Sequence, residues 1–483
     1  MAQRIITFLP EFLLLAALPL MLLVRRFRDS ATPKTYFTLS KYFLLFGLIF
    51  TIVLYNRSGY PQYYENSLYT SLFKVIIYLL SLLWFALSCK WFLIEDRSSL
   101  GFYALCLSSL AALSIMISSL NLGVMAAAWL LISLFNFCLL RLSSETEETG
   151  AVCRNYLLSV LFFGLLFGAG CVLLWQACGS LDYGNVQLAL HQQSGKNAEA
   201  LAGVGLIMAV LLFSLALAPF HFWYLDVVKA AILPVSGWIT LIPIFGYFAS
   251  LVDLTVNVFW PVYPQFQQAL IIFALLSLLL GAAGVNGENN LRRFFGFSTV
   301  FHVGFLLISL ISFSANSVFS SFVYLLVYVL AMSGVYTAFL GLKSKGIYLD
   351  ELKEISGLSK VKPYIAAACL LFMVSLIGSP PMLGFLGKLS VINNLVLEQN
   401  YILVAAVLVS LILIANGYLR MAKFMYFDSP VNNFDRTDRG IYVFLFVNLL
   451  VVVVSLLHPR LLMNDFEKML ICLLYTSPSP RDA

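Results

Sequence analysis

Charge is what this chain has least of. Its 23 Asp and Glu and 29 Lys and Arg make up 11% of 483 residues, against about 25% in an ordinary soluble domain. That shortage excludes a soluble globular protein. The eight cysteines contain no Cys-x-x-Cys pair, and nearly all fall in apolar segments. Neither Fe–S ligation nor a disulfide framework is expected from them, and small buried core residues are the reading. No glycine-rich nucleotide loop follows a strand, so a soluble catalytic domain is missing too. The formal net charge of +6 carries no argument for nucleic acid. In an apolar chain the position of the charges matters more than their sum.

Hydrophobic residues are abundant instead, at 61%. A run of about 20 apolar residues spans the roughly 30 Å of a bilayer's hydrocarbon. Such runs fall at 5–24, 42–55, 70–94, 100–119, 121–140, 152–176, 200–217, 232–252, 260–283, 294–313, 318–342, 364–395, 401–427 and 440–457. The expected fold is an all-α polytopic membrane protein of about fourteen transmembrane helices. The second run is short, and 218–231 belongs with an interrupted seventh helix. The N-terminal run is read as a retained first span, because its basic cluster follows the apolar stretch and no clear cleavage site appears. The C-terminal LYTSPSPRDA resembles translated adapter sequence and is set aside.

Charge placement tests that topology. Loops after odd-numbered runs, with the run ends that adjoin them, hold twenty-one Lys and Arg, whereas the opposite side, termini included, holds six; Lys74 and Lys388 are counted apart, as residues within runs. The bias is what the positive-inside rule asks of alternating crossings. It puts both termini on the side away from the cytoplasm or matrix.

Two of the runs cannot be continuous helices. Phe372 to Asn393 reads FMVSLIGSPPMLGFLGKLSVIN, with Pro380 and Pro381 at its centre and Lys388 beyond them. Adjacent prolines remove two backbone donors and clash with the preceding turn. Inside lipid, broken backbone is tolerated only where protein or a watery cavity satisfies the freed groups. Span seven, AGVGLIMAVLLFSLALAPFHFWYLDVVKA, is interrupted at Pro219, just before His221. The two breaks lie five spans apart, so they run in opposite directions. Paired broken helices with a buried charge mark an ion path built on inverted repeats. The alternative is that these prolines only kink core helices. The resulting division is 1–97 for spans one to three, a first five-helix repeat in 98–255 and a second in 256–428. Span fourteen follows in 429–470, and 471–483 is a non-native tail.

Five blocks then resemble a known family. They are FLPEFLLL at 8–15, LAPFHFWYLDVVKAAILPVSGW at 217–238, NNLRRFFGFSTVFHVGFLL at 289–307, VSLIGSPPMLGFLGK at 374–388 and GYLRMAKFMYFDSP at 417–430. Their order and spacing are similar to those of the antiporter-like membrane subunits of respiratory complex I, in the chain 2 (bacterial N subunit) branch. The resemblance implies a place beside other membrane-arm subunits, including antiporter-like ones, in an NADH:ubiquinone oxidoreductase that couples electron transfer to proton movement. It implies no cofactor or metal bound by this chain: NADH, FMN, Fe–S clusters and quinone belong to other subunits. It also implies a titratable chain of Glu in span five, Lys in span seven, Lys or His in span eight and Lys or Glu in span twelve.

Here the chain departs from the pattern. The expected Glu falls at about Leu130, the span-seven Lys at Ser214 and the span-eight Lys on Ile244. Lys388 survives, with His302 in span ten as a neighbouring candidate relay. A Leu cannot carry a proton, so the first half-channel is expected to be disabled or rerouted. Each remaining candidate has a bland reading beside it. Lys388 is a proton-path residue or a snorkelling cation; His302 is a relay or a core histidine; His221 is functional or caps freed carbonyls. Lys74 is a path residue or an interfacial anchor, and Glu11 has similar standing near the membrane edge. Asp226 and Lys229 form a local salt bridge. The 41 Phe and 24 Tyr are read as lipid-facing bulk and interfacial belts. The rival readings are an Mrp-type cation/proton antiporter subunit and a scaffold without transport. The expected home is the mitochondrial inner membrane, with a bacterial plasma membrane as the alternative.

Overall fold

The computed structural model describes residues 6–27, 32–55, 58–60, 63–143, 147–193, 197–312 and 314–457. The adapter-like tail and the first residue of span one lie outside them. In lipid every backbone donor must find a partner within its own segment, so apolar runs become helices. In chain order they are α1 (Leu9–Phe27), α2 (Pro33–Val53), α3 (Leu68–Ile94), α4 (Leu100–Ile117), α5 (Leu122–Leu142), α6 (Glu147–Cys178) and α7 (Tyr183–Gln192). Then come α8 (Ala198–Ser214), α9 (Phe222–Ala230), α10 (Leu233–Leu241), α11 (Pro243–Asn257), α12 (Tyr263–Gly287), α13 (Leu291–Ser309) and α14 (Ala315–Leu340). After the short α15 (Leu358–Val361), the series ends with α16 (Pro363–Ile377), α17 (Leu383–Leu397), α18 (Tyr401–Phe427) and α19 (Arg439–Leu457). A helix or a pair of helices covers every apolar run. Among the described residues, ten helical segments, α10 and α11 counted together as one, are long and apolar enough to cross a membrane; α8, α16 and α17 are shorter.

Three boundaries differ from expectation, each for a local reason. Span two is a full 21-residue helix, because Pro33 at its first turn starts it ahead of the charged Lys34 and Lys41. Span eight is two helices, parted at Ile242 by Pro243, whose ring excludes a hydrogen bond to the turn before it. The short helix α7 was not foreseen: it is too polar to read as a span, yet Tyr183, Val186 and Leu190 bury one face.

The chain forms two compact units. Of the described residues, one holds those through Leu215 together with Ala230–Phe266; the other holds Ala216–Lys229 and those from Gln267 to Leu457. The break in span seven is therefore where the chain leaves the first unit. Within the first unit α4 packs on α1 and α5, and α6 runs along α8. Trp84 Nε1 donates to Pro234 O at 2.8 Å and Tyr69 Oη to Ala249 O at 2.7 Å, tying α3 to α10 and α11. Within the second unit α14 is central, packed by α13, α16, α17 and α19.

The two units share a local device. Asn121 caps α5, taking the Gly123 amide at 2.9 Å on Oδ1 while its Nδ2 donates to Asp182 at 2.6 Å. Asn290 caps α13 by taking the Arg293 amide at 3.1 Å, and the adjoining Leu291 amide donates to Asp350 O at 2.6 Å. In each unit an Asn-capped helix is thus stitched to an acidic turn upstream of a broken span.

Candidate functional site

The second break is closed by its own lysine. A helix leaves its last four carbonyls without intrahelical donors. In α16 Gly378, at φ +81, turns the chain, and the amides of Gly378 and Ser379 return to Val374 O at 3.1 and 3.2 Å. Gly378 N also reaches Ser375 O at 3.1 Å. Leu376 O and Ile377 O remain, and Lys388 Nζ donates to them at 2.6 and 2.9 Å. Lys388 sits on α17, past the cis Pro380–Pro381 bond, and is 3% exposed. An ammonium at the negative end of a helix is favourably placed, and the rings of Phe301 and Phe305 flank it, each centroid 5.6 Å from Nζ. The side chain does not reach outward as a snorkelling cation does. α17 can approach because Gly384 has no side chain: a Cβ there would overlap the Ser375 carbonyl.

His302 lies on α13 and is fully buried. Its Nδ1 pairs with Tyr324 Oη at 2.6 Å and its Nε2 with Tyr418 Oη at 3.1 Å. Tyr418 Oη also pairs with Ser298 Oγ, one helical turn before His302. Close by, Thr299 Oγ1 accepts from Tyr224 Oη at 3.1 Å and from Tyr328 Oη at 3.0 Å. Ser298, Tyr418, His302 and Tyr324 form a continuous chain in which every member can both give and take a hydrogen. Lys388 is not bonded to His302. Tyr324, the partner of His302 Nδ1, packs against α17 at Gly387, the residue before Lys388.

The tyrosines correct the sequence reading. Tyr64, Tyr69, Tyr78, Tyr103, Tyr324 and Tyr418 are each at most 2% exposed, and those around His302 are its hydrogen-bond partners. The signal was present in part, since Tyr418 lies in the quoted GYLRMAKF block.

The first break is built differently. α8 ends at Ser214, and the chain passes Ala216 (φ +54) and the cis Ala218–Pro219 bond before α9. Ser277 Oγ accepts from the Ala218 amide at 2.8 Å. The His221 ring sits by the Pro219 backbone with its Nδ1 unpartnered. No ion pair joins Asp226 to Lys229 among the described residues, so the expected local bridge is not made. Leu130 is 37% exposed and points outward. Its neighbour Trp129 faces inward, 1% exposed, and donates from Nε1 to Ser214 Oγ at 2.6 Å. The residue opposite Ser214 is therefore Trp129, one register step from the expectation. Ile244 is buried at 6% exposure. Nothing at Trp129, Ser214 or Ile244 carries a charge.

Glu11 and Lys74, singled out separately, meet. Lys74 Nζ donates to Glu11 Oε1 at 2.7 Å, Tyr64 Oη at 2.7 Å and Asn66 Oδ1 at 2.9 Å, filling its three donors. Tyr64 Oη donates to the same Glu11 oxygen at 2.8 Å. Both charged side chains are buried, 0% and 2% exposed. Among the described residues no group of three or more His, Cys, Asp or Glu is placed to hold a metal ion.

Residues 118–413 match the NADH:quinone oxidoreductase/Mrp antiporter transmembrane family. The chain is 33% identical over 383 residues to NADH-quinone oxidoreductase subunit N of Cupriavidus taiwanensis, covering 77% of each. Subunit N of Methylovorus glucosotrophus is 28% identical over 466 residues, 94% of this chain and 95% of that one. A chain of respiratory complex I from Thermus thermophilus with bound aureothin superposes at a TM-score of 0.79 and 22% identity, covering 95% and 98%. At that identity the likeness speaks for the fold. These curated relatives are bacterial, so the expected mitochondrial inner membrane gives way to its alternative, a bacterial plasma membrane crossed many times.

Proposed function

The chain belongs to the NADH:quinone oxidoreductase/Mrp antiporter transmembrane family, and on that premise we propose that it is a subunit of N type in the membrane arm of a respiratory NADH:quinone oxidoreductase. Its neighbours there are other membrane-arm subunits, antiporter-like ones among them, and lipid. It binds no nicotinamide, flavin, Fe–S cluster or quinone; those sit elsewhere in the assembly. Fourteen crossings and two inverted repeats, spans four to eight and nine to thirteen, describe its architecture, and the paired Asn caps and paired breaks support that division.

One observation carries the mechanistic reading. A buried lysine closes the break in span twelve, beside a hydroxyl–imidazole chain, while the break in span seven has a Trp–Ser hydrogen bond and no buried charge, Asp226 and Lys229 being exposed. Moving a proton through a low-dielectric interior needs groups that exchange it. Lys388 and His302 are such groups, and His302 is hydrogen-bonded to Tyr324 and Tyr418; Trp129, Ser214 and Ile244 include no ionisable side chain of that kind. The first half is therefore a closed structural partner, and any proton traffic of this subunit runs through the second half. A freestanding Mrp-type antiporter is disfavoured, because one of its two half-sites has nothing to exchange.

The assignment is tested on mildly solubilised membranes by native-gel separation, in-gel NADH dehydrogenase staining and mass spectrometry of the stained band. The chain is expected in the NADH-oxidising band. Migration with antiporter-like partners away from that activity would transfer the assignment to the transporter reading.

A further inference from the structure

A polar cavity lies apart from both breaks, where α3 begins and where α4 and α11 end. Its volume is about 50 Å³, and its walls include Glu65, Thr70, Ser118, Ser119, Asp253 and Asn257. A water needs roughly 10–15 Å³ of such space, so there is room for an ion with a partial shell. Two acidic residues line it, and no Lys, Arg or His does. The nearby cation Lys74 is fully engaged with Glu11, Tyr64 and Asn66.

The polar groups around the cavity are not satisfied by one another. Ser118 is 1% exposed and its Oγ has no hydrogen-bond partner. Asp253 accepts from Asn257 Nδ2 at 2.7 Å, which leaves the shielded Asn257 Oδ1 without a donor. Burial pushes the Glu65 carboxyl above the usual carboxylate range, as expected of an anion lacking a counter-charge. A buried polar atom without a partner calls for a ligand. Here the orphaned atoms are oxygens, the donor type preferred by hard cations. Divalent ions of this kind take six or more oxygens with several carboxylates. Two carboxylates, one already hydrogen-bonded, suit a single positive charge.

We infer that this cavity binds a small monovalent cation of sodium size, held by Glu65, Asp253, Ser118 and Asn257. The site lies within the first unit and does not depend on the role given to Lys388.

The test uses the full-length chain purified in lipid nanodiscs, with thermal unfolding followed in NaCl and in equimolar choline chloride. Sodium is expected to raise Tm by several degrees, saturating with concentration, and Glu65→Gln and Asp253→Asn are each expected to remove that increment. Glu65 lies outside the spans, so its variant carries the result should Asp253→Asn not fold. Equal Tm in the two salts would mean a water-filled cavity and overturn the inference. So would a sodium increment that survives Glu65→Gln, or a shift given by CaCl2 and not by NaCl.

Discussion

The two broken spans solve one problem by different means. Each interrupts a helix at a proline and must satisfy freed backbone in an apolar surrounding. In span twelve the donor is the Lys388 ammonium, reaching back from α17 to the last carbonyls of α16. In span seven the work passes to hydroxyls: Ser277 takes the Ala218 amide, and Ser214 receives the Trp129 indole. A neutral hydroxyl fixes a backbone as well as a cation does, but it holds no charge near neutrality. Breaking a helix and carrying charge are therefore separable properties, and this chain has separated them.

The comparison is broken most severely at Gly384. Gly384→Ala places a methyl against the Ser375 carbonyl, and a clash with backbone that cannot yield is expected to exceed about 4 kcal/mol. Gly203→Ala, on α8 in the first unit, sets its Cβ 2.9 Å from Leu174 Cγ and 3.0 Å from Gly170 O. Part of that clash is with a movable side chain, so about 1–3 kcal/mol is expected. Subunit yield in the native complex should therefore collapse for the first variant and only decline for the second.

Lys388→Met tests the functional half of the contrast. It strands Leu376 O and Ile377 O, about 1–3 kcal/mol for each buried acceptor. Protons moved per electron should fall by this subunit's share, while electron transfer in the assembled complex continues. An unchanged ratio with intact assembly would leave the subunit a scaffold. Glu11→Gln is a control on a buried lysine with a different partner. Lys74 would be left without its carboxylate, at about 3–5 kcal/mol. Adding Lys74→Met should recover much of that loss in a double-mutant cycle of thermal stability, and proton stoichiometry should not move beyond what assembly explains.

How far the sequence foretells this site follows from the kind of signal each part leaves. The breaks were legible because proline has a definite backbone effect, and Lys388 because a cation within an apolar run is conspicuous. Its partners were not, since Leu376 and Ile377 contribute carbonyls that every residue has. The cage of His302 draws on α13, α14 and α18, and no spacing within one helix announces a meeting of three. Leu130 shows the limit of counting: one residue turns a helix face by about 100°, enough to exchange an outward leucine for an inward tryptophan.

The smallest effect probes that tryptophan. Trp129→Phe removes the indole N–H while keeping an aromatic ring beside Phe167, whose centroid lies 5.9 Å away. Ser214 keeps its bond to Val210 O at 2.8 Å, so its hydroxyl is not orphaned and the expected loss is only about 1 kcal/mol. Because neither partner carries a charge, proton stoichiometry should match that of the unaltered complex while Tm falls by a small step. A stoichiometry that drops with Trp129→Phe would mean that protons do pass the first break, along a path that the Trp129–Ser214 bond holds in place. The division of labour between the two spans would then fail at its weakest joint, and His221, whose Nδ1 is unpartnered beside that break, would be the next residue to change.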